Sequence, residues 1–377
     1  MMPMKIHTDC RHFRGDMPCV FHKKTGAHCE GCADYDPLKE RILIIKLGAI
    51  GDVIRSTPLL HRLKAEHPKA QIIWLTQSPD ILPSGRIDRI LGVNPESITW
   101  LQANRFDWLI NLDKDALAIS LAQSVKAKRK SGFEMDGWGR CQPVKDQSSV
   151  DKWLTGLWDD ANQANTKHYM EEMFEICGFD FRGEEYILED PLEGETLWHF
   201  SKGRKKIGLN TGCGGRWTSR LWPEESWIEL AQKLIGAGYE PVLLGGKQED
   251  EKNQRIARAS GALYPGHYDL KTFIHLVNGM DSVVTAVTMA MHLAIGLKKQ
   301  LVLFNNIFNR NEFYLYDRGV ILEPEMACDC YFSPTCKNNC MTTLKVDTVF
   351  VAVKALAGDT PSWSPPEGGE KGKENHV

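Results

Sequence analysis

The chain has 377 residues, enough for two domains, and its 42% hydrophobic and 25% charged content is that of a globular protein. A formal charge of −3 leaves no basic footprint for nucleic acid, and no apolar run is long enough to span a bilayer. The first forty residues are polar and lack an apolar signal core, which predicts a cytoplasmic protein, at most peripheral to a membrane.

Residues 1–38 read as a small Cys/His-rich extension. Cys10, Cys19, Cys29 and Cys32 follow a Cys-x8-Cys-x9-Cys-x2-Cys spacing and are interleaved with His7, His12, His22 and His28. In a reducing compartment such a cluster favours metal over disulfides. Four thiolates in tetrahedral reach suit zinc or an iron centre, iron–sulfur included, and the metal would supply the folding energy of so short a segment.

Residues 39–180 alternate strand and helix. The apolar run 41–45 reads as a buried parallel strand and leads into Lys46-Leu-Gly48-Ala-Ile-Gly51-Asp52. The two glycines allow close backbone approach, and a carboxylate stands at the tip of the turn. A helix follows, with Ser56 or Thr57 as its cap and Pro58 at its first position. Residues 71–75 and 106–112 are further strands, and 116–125 a helix. The stretch 133–165, rich in Gly, Asp and Trp, reads as a long loop region, and 168–177 as a helix. Repeated βα units imply a parallel, doubly wound sheet.

The acidic segment 181–204 reads as a linker, and 205–345 repeats the βα rhythm. Its first strand, 205–210, is followed by Thr211-Gly-Cys-Gly-Gly-Arg216-Trp-Thr-Ser-Arg220 and by a helix opened by Pro223. Strands are expected at 240–244, 281–285 and 300–304, and helices at 249–260 and 288–295. A closing amphipathic helix spans 346–357, and 358–377 has the composition of a disordered tail.

Exposed N–H groups at Gly212, Gly214 and Gly215, with Arg216 and Arg220, suit a diphosphate. Neither glycine loop has the dinucleotide-binding spacing, and there is no Walker A sequence, which argues against a dehydrogenase or a P-loop enzyme.

The ordered set Lys46-Leu-Gly-Ala-Ile-Gly-Asp52, Ser56-Thr-Pro-Leu-Leu60, Leu221-Trp-Pro-Glu224 with Trp227, Gly245-Gly246 with Glu249, and Met291-His-Leu-Ala294 resembles glycosyltransferase family 9, the ADP-heptose:lipopolysaccharide heptosyltransferases and their relatives. The resemblance covers about residues 41–356. It implies an α/β GT-B fold: two Rossmann-like domains, acceptor side first, nucleotide-sugar side second, with a last helix crossing back. It also implies inverting transfer from a nucleotide-diphosphate sugar, ADP-heptose-like, to lipopolysaccharide core or another cell-envelope glycan, at the cytoplasmic face of the inner membrane.

Residue by residue, Asp52 matches the catalytic base, on a loop made close-fitting by Gly48 and Gly51. Arg220 stands at the position of a phosphate-contacting Lys, Thr211 and Gly212 at a phosphate-contacting turn, and Glu249 beside the ribose. Thr288 and His292 match the start of the last donor-site helix. The family pattern Asp-Thr-Gly-x-x-His is replaced here by Val287-Thr-Met-Ala-Met-His292. Two readings follow, an altered donor or an inactive GT-B scaffold that binds metal or a nucleotide sugar; Asp52 and Arg220 favour the first. A nucleotide-sugar epimerase is a third. No metal is required for catalysis in this scheme. Cys328, Cys330, Cys336 and Cys340 offer a second structural site for zinc or iron, alone or shared with the N-terminal thiols.

Overall fold

A computed structural model describes residues 5–358; the tail expected from 358 onward otherwise lies outside the described residues. The chain forms two compact units, Met1–Glu189 with Asn309–Tyr314, and Asp190–Phe308 with Leu315–Val377.

The first unit contains α1 (Val20–Thr25), β1 (Glu40–Ile45), α2 (Ile50–Ile54), α3 (Leu59–Glu66), β2 (Ala70–Thr76), β3 (Arg89–Gly92), α4 (Pro95–Ala103), β4 (Arg105–Asn111), α5 (Ala116–Ser124), β5 (Lys126–Met135), β6 (Cys141–Pro143), α6 (Gln147–Leu154), α7 (Asp159–Ala164) and α8 (Tyr169–Ile176). Its six-stranded sheet has the order β3-β2-β1-β4-β5-β6 and is parallel except for the β5–β6 pair. Ile42, Leu43, Ile44 and Ile45 are wholly buried, as a parallel strand covered on both faces requires.

The second unit contains β7 (Lys206–Asn210), α9 (Glu224–Gly236), β8 (Glu240–Leu244), α10 (Asp250–Ser260), α11 (Leu270–Asn278), β9 (Ser282–Ala286), α12 (Met289–Gly296), β10 (Gln300–Phe304), β11 (Gly319–Leu322) and α13 (Val346–Leu356). Its five strands are all parallel, in the order β11-β10-β9-β7-β8. Trp222, Trp227 and Phe304 form an aromatic knot with ring centroids 5.0–5.7 Å apart, and the Trp222 indole donates to the Leu344 carbonyl at 3.0 Å. The Leu-Trp-Pro motif is therefore an anchor for the loop that precedes it.

Four expectations change. Ser56 and Thr57 do not cap the helix. Their hydroxyls donate back to the carbonyls of Asp52 and Ile54, closing the short α2, and α3 starts after Pro58. The stretch 133–165 is not one loop: Asp136 accepts from the N–H groups of Trp138 and Arg140 to turn β5 into β6, and Asp146 caps α6. The closing helix α13 packs on α9 and on β9, β10 and β11 within the second unit, and it is residues 309–314 that are grouped with the first. Strands β3 and β5 and helix α4 were not anticipated.

Candidate functional site

In doubly wound sheets ligands meet the carboxyl ends of the strands where the strand order reverses. In the first unit that point lies between β1 and β4, and the loop leaving β1 carries Lys46 to Asp52. Asp52 lies in the first turn of α2 and pairs with Arg55 at 2.9 Å. Arg55 also pairs with Glu312 at 2.9 Å and lies 3.5 Å from the centroid of the Tyr169 ring. Burial alone would ease the Arg55 guanidinium toward neutrality, but Asp52, Tyr169 and Glu312 outweigh it and fix the charge. Buried Lys46 pairs with Asp113, which also accepts from the Leu47 N–H. Here burial is again outweighed, by Tyr169, Asp52 and Asp113, and Lys46 is held protonated.

Beside this network is a cavity of about 200 Å³, lined by Lys46, Arg55, Asp113, Lys114, Lys152 and Tyr169 among others. Lys152 pairs with Glu172 at 2.6 Å. Lys114 donates to the Lys152 carbonyl at 2.8 Å and lies over the Phe133 ring, and among the described residues no carboxylate pairs with it. Burial first, and then the neighbouring Lys152, pull the Lys114 ammonium down to about 8.

The second unit reverses its strand order between β7 and β9. The loop after β7 contains Thr211 and Gly212, and the loop after β9 contains Val287 and Thr288. Thr211 is buried; its hydroxyl donates to Asn253 at 2.6 Å and its carbonyl accepts from Lys252 at 2.8 Å. A Cβ on Gly212 would stand 2.3 Å from the Glu249 carboxyl group, so any larger residue would have to push that side chain aside. Glu249 itself accepts from the Gly246 N–H at 3.0 Å. Thr288 caps α12, accepting from the Ala290 N–H at 3.2 Å, with the Thr285 hydroxyl 3.0 Å away. His292 is buried within α12.

Arg220 joins these two loops. Only 8% exposed, it donates to the carbonyls of Val287 and Cys213, the latter at 2.9 Å. Its hydrogen bonds go to neutral carbonyls rather than to a carboxylate, and burial depresses its pKa. Lys252 is depressed by burial in the same way. Arg220 is thus a desolvated cation held at the Val287 carbonyl, just before the N-terminus of α12, surroundings that favour an anion. Arg216 differs: it is exposed and lies over the Trp217 ring.

The compact thiol group is at the C-terminal end. The ligand atoms of Cys328, Cys330, Cys336 and Cys340 all lie within 4.8 Å of one another. Ile307, Trp217, Phe308 and Met326 pack against them. Burial raises the Cys336 thiol, but the Cys340 N–H and the adjacent thiols outweigh it and lower it to about 7. Four converging thiols, one of them acidified, fit a tetrahedral zinc or iron ion. The same segment is stitched to the turn that holds Arg220. Ser219 donates to the carbonyls of Pro334 and Ser333 at 3.0 and 2.7 Å, and Asn306 spans the Ser219 carbonyl and the Cys340 sulfur. Among Cys10, Cys19, Cys29 and Cys32, no three ligand atoms come within 4.8 Å of one another in this way.

Residues 98–307, more than half of the chain, match glycosyltransferase family 9 (heptosyltransferase). The chain belongs to that family. It is 23% identical over 290 residues to lipopolysaccharide heptosyltransferase 2 of Salmonella typhimurium, covering 70% of this chain and 81% of that protein. Among solved structures it resembles a family 9 glycosyltransferase of Veillonella parvula, with a TM-score of 0.65 at 16% identity over 86% of this chain and 98% of that one. It also resembles the E. coli heptosyltransferase WaaC with ADP-2-deoxy-2-fluoro heptose, with a TM-score of 0.59 at 16% identity over 83% and 99%. The iron-containing dodecameric glycosyltransferase TibC of enterotoxigenic E. coli matches at a TM-score of 0.52 and 12% identity over 85% and 77%. At such identities these likenesses establish the fold, which is GT-B. The family 9 chain is a glycosyltransferase.

Arg220, Thr211, Gly212, Glu249 and Thr288 gather at the carboxyl ends of the second sheet, and Asp52 stands with Arg55 in the first unit. Sequence reasoning missed Arg55, Lys114 and Lys252. Arg55 carried a readable signal, three residues after Asp52 on the same helical face. Lys114 and Lys252 owe their importance to burial, which no local pattern reveals.

Proposed function

We propose that this family 9 chain transfers a heptose-like sugar, with inversion, from an ADP-heptose-like nucleotide diphosphate sugar to an anionic glycan acceptor such as lipopolysaccharide core. The observation that carries the donor half is Arg220, a buried cation whose hydrogen bonds all go to carbonyls, one of them just before the start of α12. Asp52 takes the proton of the acceptor hydroxyl, whose oxygen bonds to the anomeric carbon as the bond to the diphosphate breaks. Arg220, Lys252 and the N-terminus of α12 stabilise the charge that develops on the departing diphosphate. The proton ends on Asp52 and the electron pair on the nucleotide diphosphate.

The cavity around Lys114 supports an acceptor bearing carboxylate or phosphate. Among the described residues no helix is long and apolar enough to cross a membrane. The exposed Trp138 and Trp158 suit peripheral contact with the cytoplasmic face of the inner membrane, where such acceptors are anchored. A zinc or iron ion at Cys328, Cys330, Cys336 and Cys340 serves structure in this reading: it ties the loop to Ser219 and so fixes Arg220. The start of α12 departs from the family pattern, since half-buried Val287 offers a sugar hydroxyl no hydrogen bond.

The test is release of nucleotide diphosphate from a panel of nucleotide sugars, with and without a lipopolysaccharide-core acceptor. Acceptor-dependent turnover, fastest with an ADP-sugar and giving an inverted anomer, is expected. Tight binding of a nucleotide sugar without turnover on any acceptor would replace this reading with that of a non-catalytic scaffold.

A further inference from the structure

The N-terminal extension encloses a cavity of about 280 Å³, and Cys10, Cys19, Cys29 and Cys32 all line it, together with four histidines. Ile6, Phe13, Met17 and Phe21 supply apolar wall. None of residues 5–38 is fully buried, and α1 has no buried residue. The segment is nevertheless ordered into turns, a helix and a bridge between Cys10 and Pro37. A chain this short without a core requires a staple.

The spacing of the ligands constrains that staple. Metal–sulfur bonds of about 2.3 Å hold the four sulfurs of a single tetrahedral ion roughly 3.8 Å apart. The C-terminal thiols meet that demand, being mutually within 4.8 Å; no three ligand atoms of the extension do. Four cysteines lining one roomy cavity, no three of them within 4.8 Å, leave room for a cluster in which each sulfur binds a different iron and inorganic sulfide fills the centre. The His22 N–H donates to the Cys19 sulfur at 3.4 Å, the kind of contact that stabilises a cluster thiolate.

We propose that the extension holds a [4Fe–4S] cluster ligated by Cys10, Cys19, Cys29 and Cys32. Its position indicates a structural role. Arg11, next to Cys10, pairs with Asp36 at 2.8 Å and with Asp88, and donates to the Ala70 carbonyl at 3.1 Å. Ala70 opens β2 and Asp88 precedes β3, so the extension is tied to the amino ends of the strands. Asp52 lies beyond their carboxyl ends. The cluster therefore locks the extension onto the sheet and takes no part in transfer.

The test uses the full chain, purified and reconstituted anaerobically with ferrous iron and sulfide, and assayed for iron, zinc and acid-labile sulfide. About four labile sulfides per chain are expected. They should persist when the C-terminal site is removed by Cys328→Ser with Cys336→Ser, and should disappear in Cys29→Ser with Cys32→Ser. Intact chain that carries zinc and no labile sulfide overturns the proposal, whether or not any variant folds. So does labile sulfide that survives loss of Cys29 and Cys32. Either failure leaves the transferase reading untouched, because acceptor-dependent turnover is a separate measurement.

Discussion

The loops that leave β1 and β7 stand at equivalent places in their sheets, yet they handle charge in opposite ways. In the first unit the cations are matched: Arg55 with Asp52 and Glu312, Lys46 with Asp113, Lys152 with Glu172. In the second, buried Arg220 donates to carbonyl oxygens and to no carboxylate. A matched network holds one carboxylate in a fixed place. An unmatched buried cation is costly until an anion arrives, so it marks where negative charge binds. In the proposed reading the contrast separates proton transfer, in the first unit, from diphosphate binding, in the second, and each half can be broken separately.

The largest effect is expected at Asp52. Asp52→Asn keeps size and hydrogen-bonding capacity but removes the base, so kcat should fall by about 10²–10⁴. Arg55 retains Glu312, so the melting temperature should change little. Calorimetry should show unchanged nucleotide affinity. A parallel loss of nucleotide affinity would erase the distinction between the units.

Arg220→Gln tests the other side. Losing charge-assisted hydrogen bonds to a diphosphate amounts to about 1.5–3 kcal/mol, or roughly 10–100-fold in nucleotide affinity. Because Arg220 also donates to the Val287 and Cys213 carbonyls, the ligand-free variant should melt modestly earlier as those acceptors lose their partner. Arg220→Lys should recover part of the affinity, since it keeps the charge and loses the fork. A variant that melts much earlier but still binds nucleotide normally would make Arg220 a structural residue.

Removing metal from the C-terminal thiols should act on the same half and more weakly. Chelation, or Cys336→Ser, frees the loop bonded to Ser219, so nucleotide affinity should drop a few-fold while acceptor KM holds. An equal effect on both substrates would indicate general loosening rather than displacement of Arg220.

This contrast was only half visible in the sequence. The strands announced themselves as apolar runs, and Asp52 and Arg220 stood out by their place after glycine-bearing turns. What stayed hidden was pairing across long separations. Glu312 reaches Arg55 from a segment that returns to the first unit 257 residues later. Asp113 meets Lys46 across two neighbouring strands. The cysteines illustrate the limit from the other direction. Both sets have plausible ligand spacing, but only folded geometry separates four mutually close thiols from four spread around a cavity. Residues 133–165 misled because their Gly, Asp and Trp content signals a loop, whereas Asp136 and Asp146 use those turn and cap chemistries to join short elements.

The smallest effect concerns Lys114, the cation of the first unit that breaks its rule by lacking a carboxylate partner. Its ammonium is held down at about 8, chiefly by burial and then by Lys152, so it is mostly charged at neutral pH and mostly neutral in mild alkali. If the cavity seats an anionic acceptor, attraction is present below that value and lost above it. Acceptor KM should therefore rise about threefold as pH passes through 8, a change within the 0.2–1 kcal/mol of a partly exposed ion pair. Lys114→Met should leave the pH dependence of donor KM unchanged, because Lys114 is not among the residues that hold the diphosphate. Lys114→Met should start at the higher acceptor KM and show no rise. A pH-dependent rise that survives in Lys114→Met would move the acceptor's charged group out of this cavity and leave the first unit with a base but no anion seat of its own.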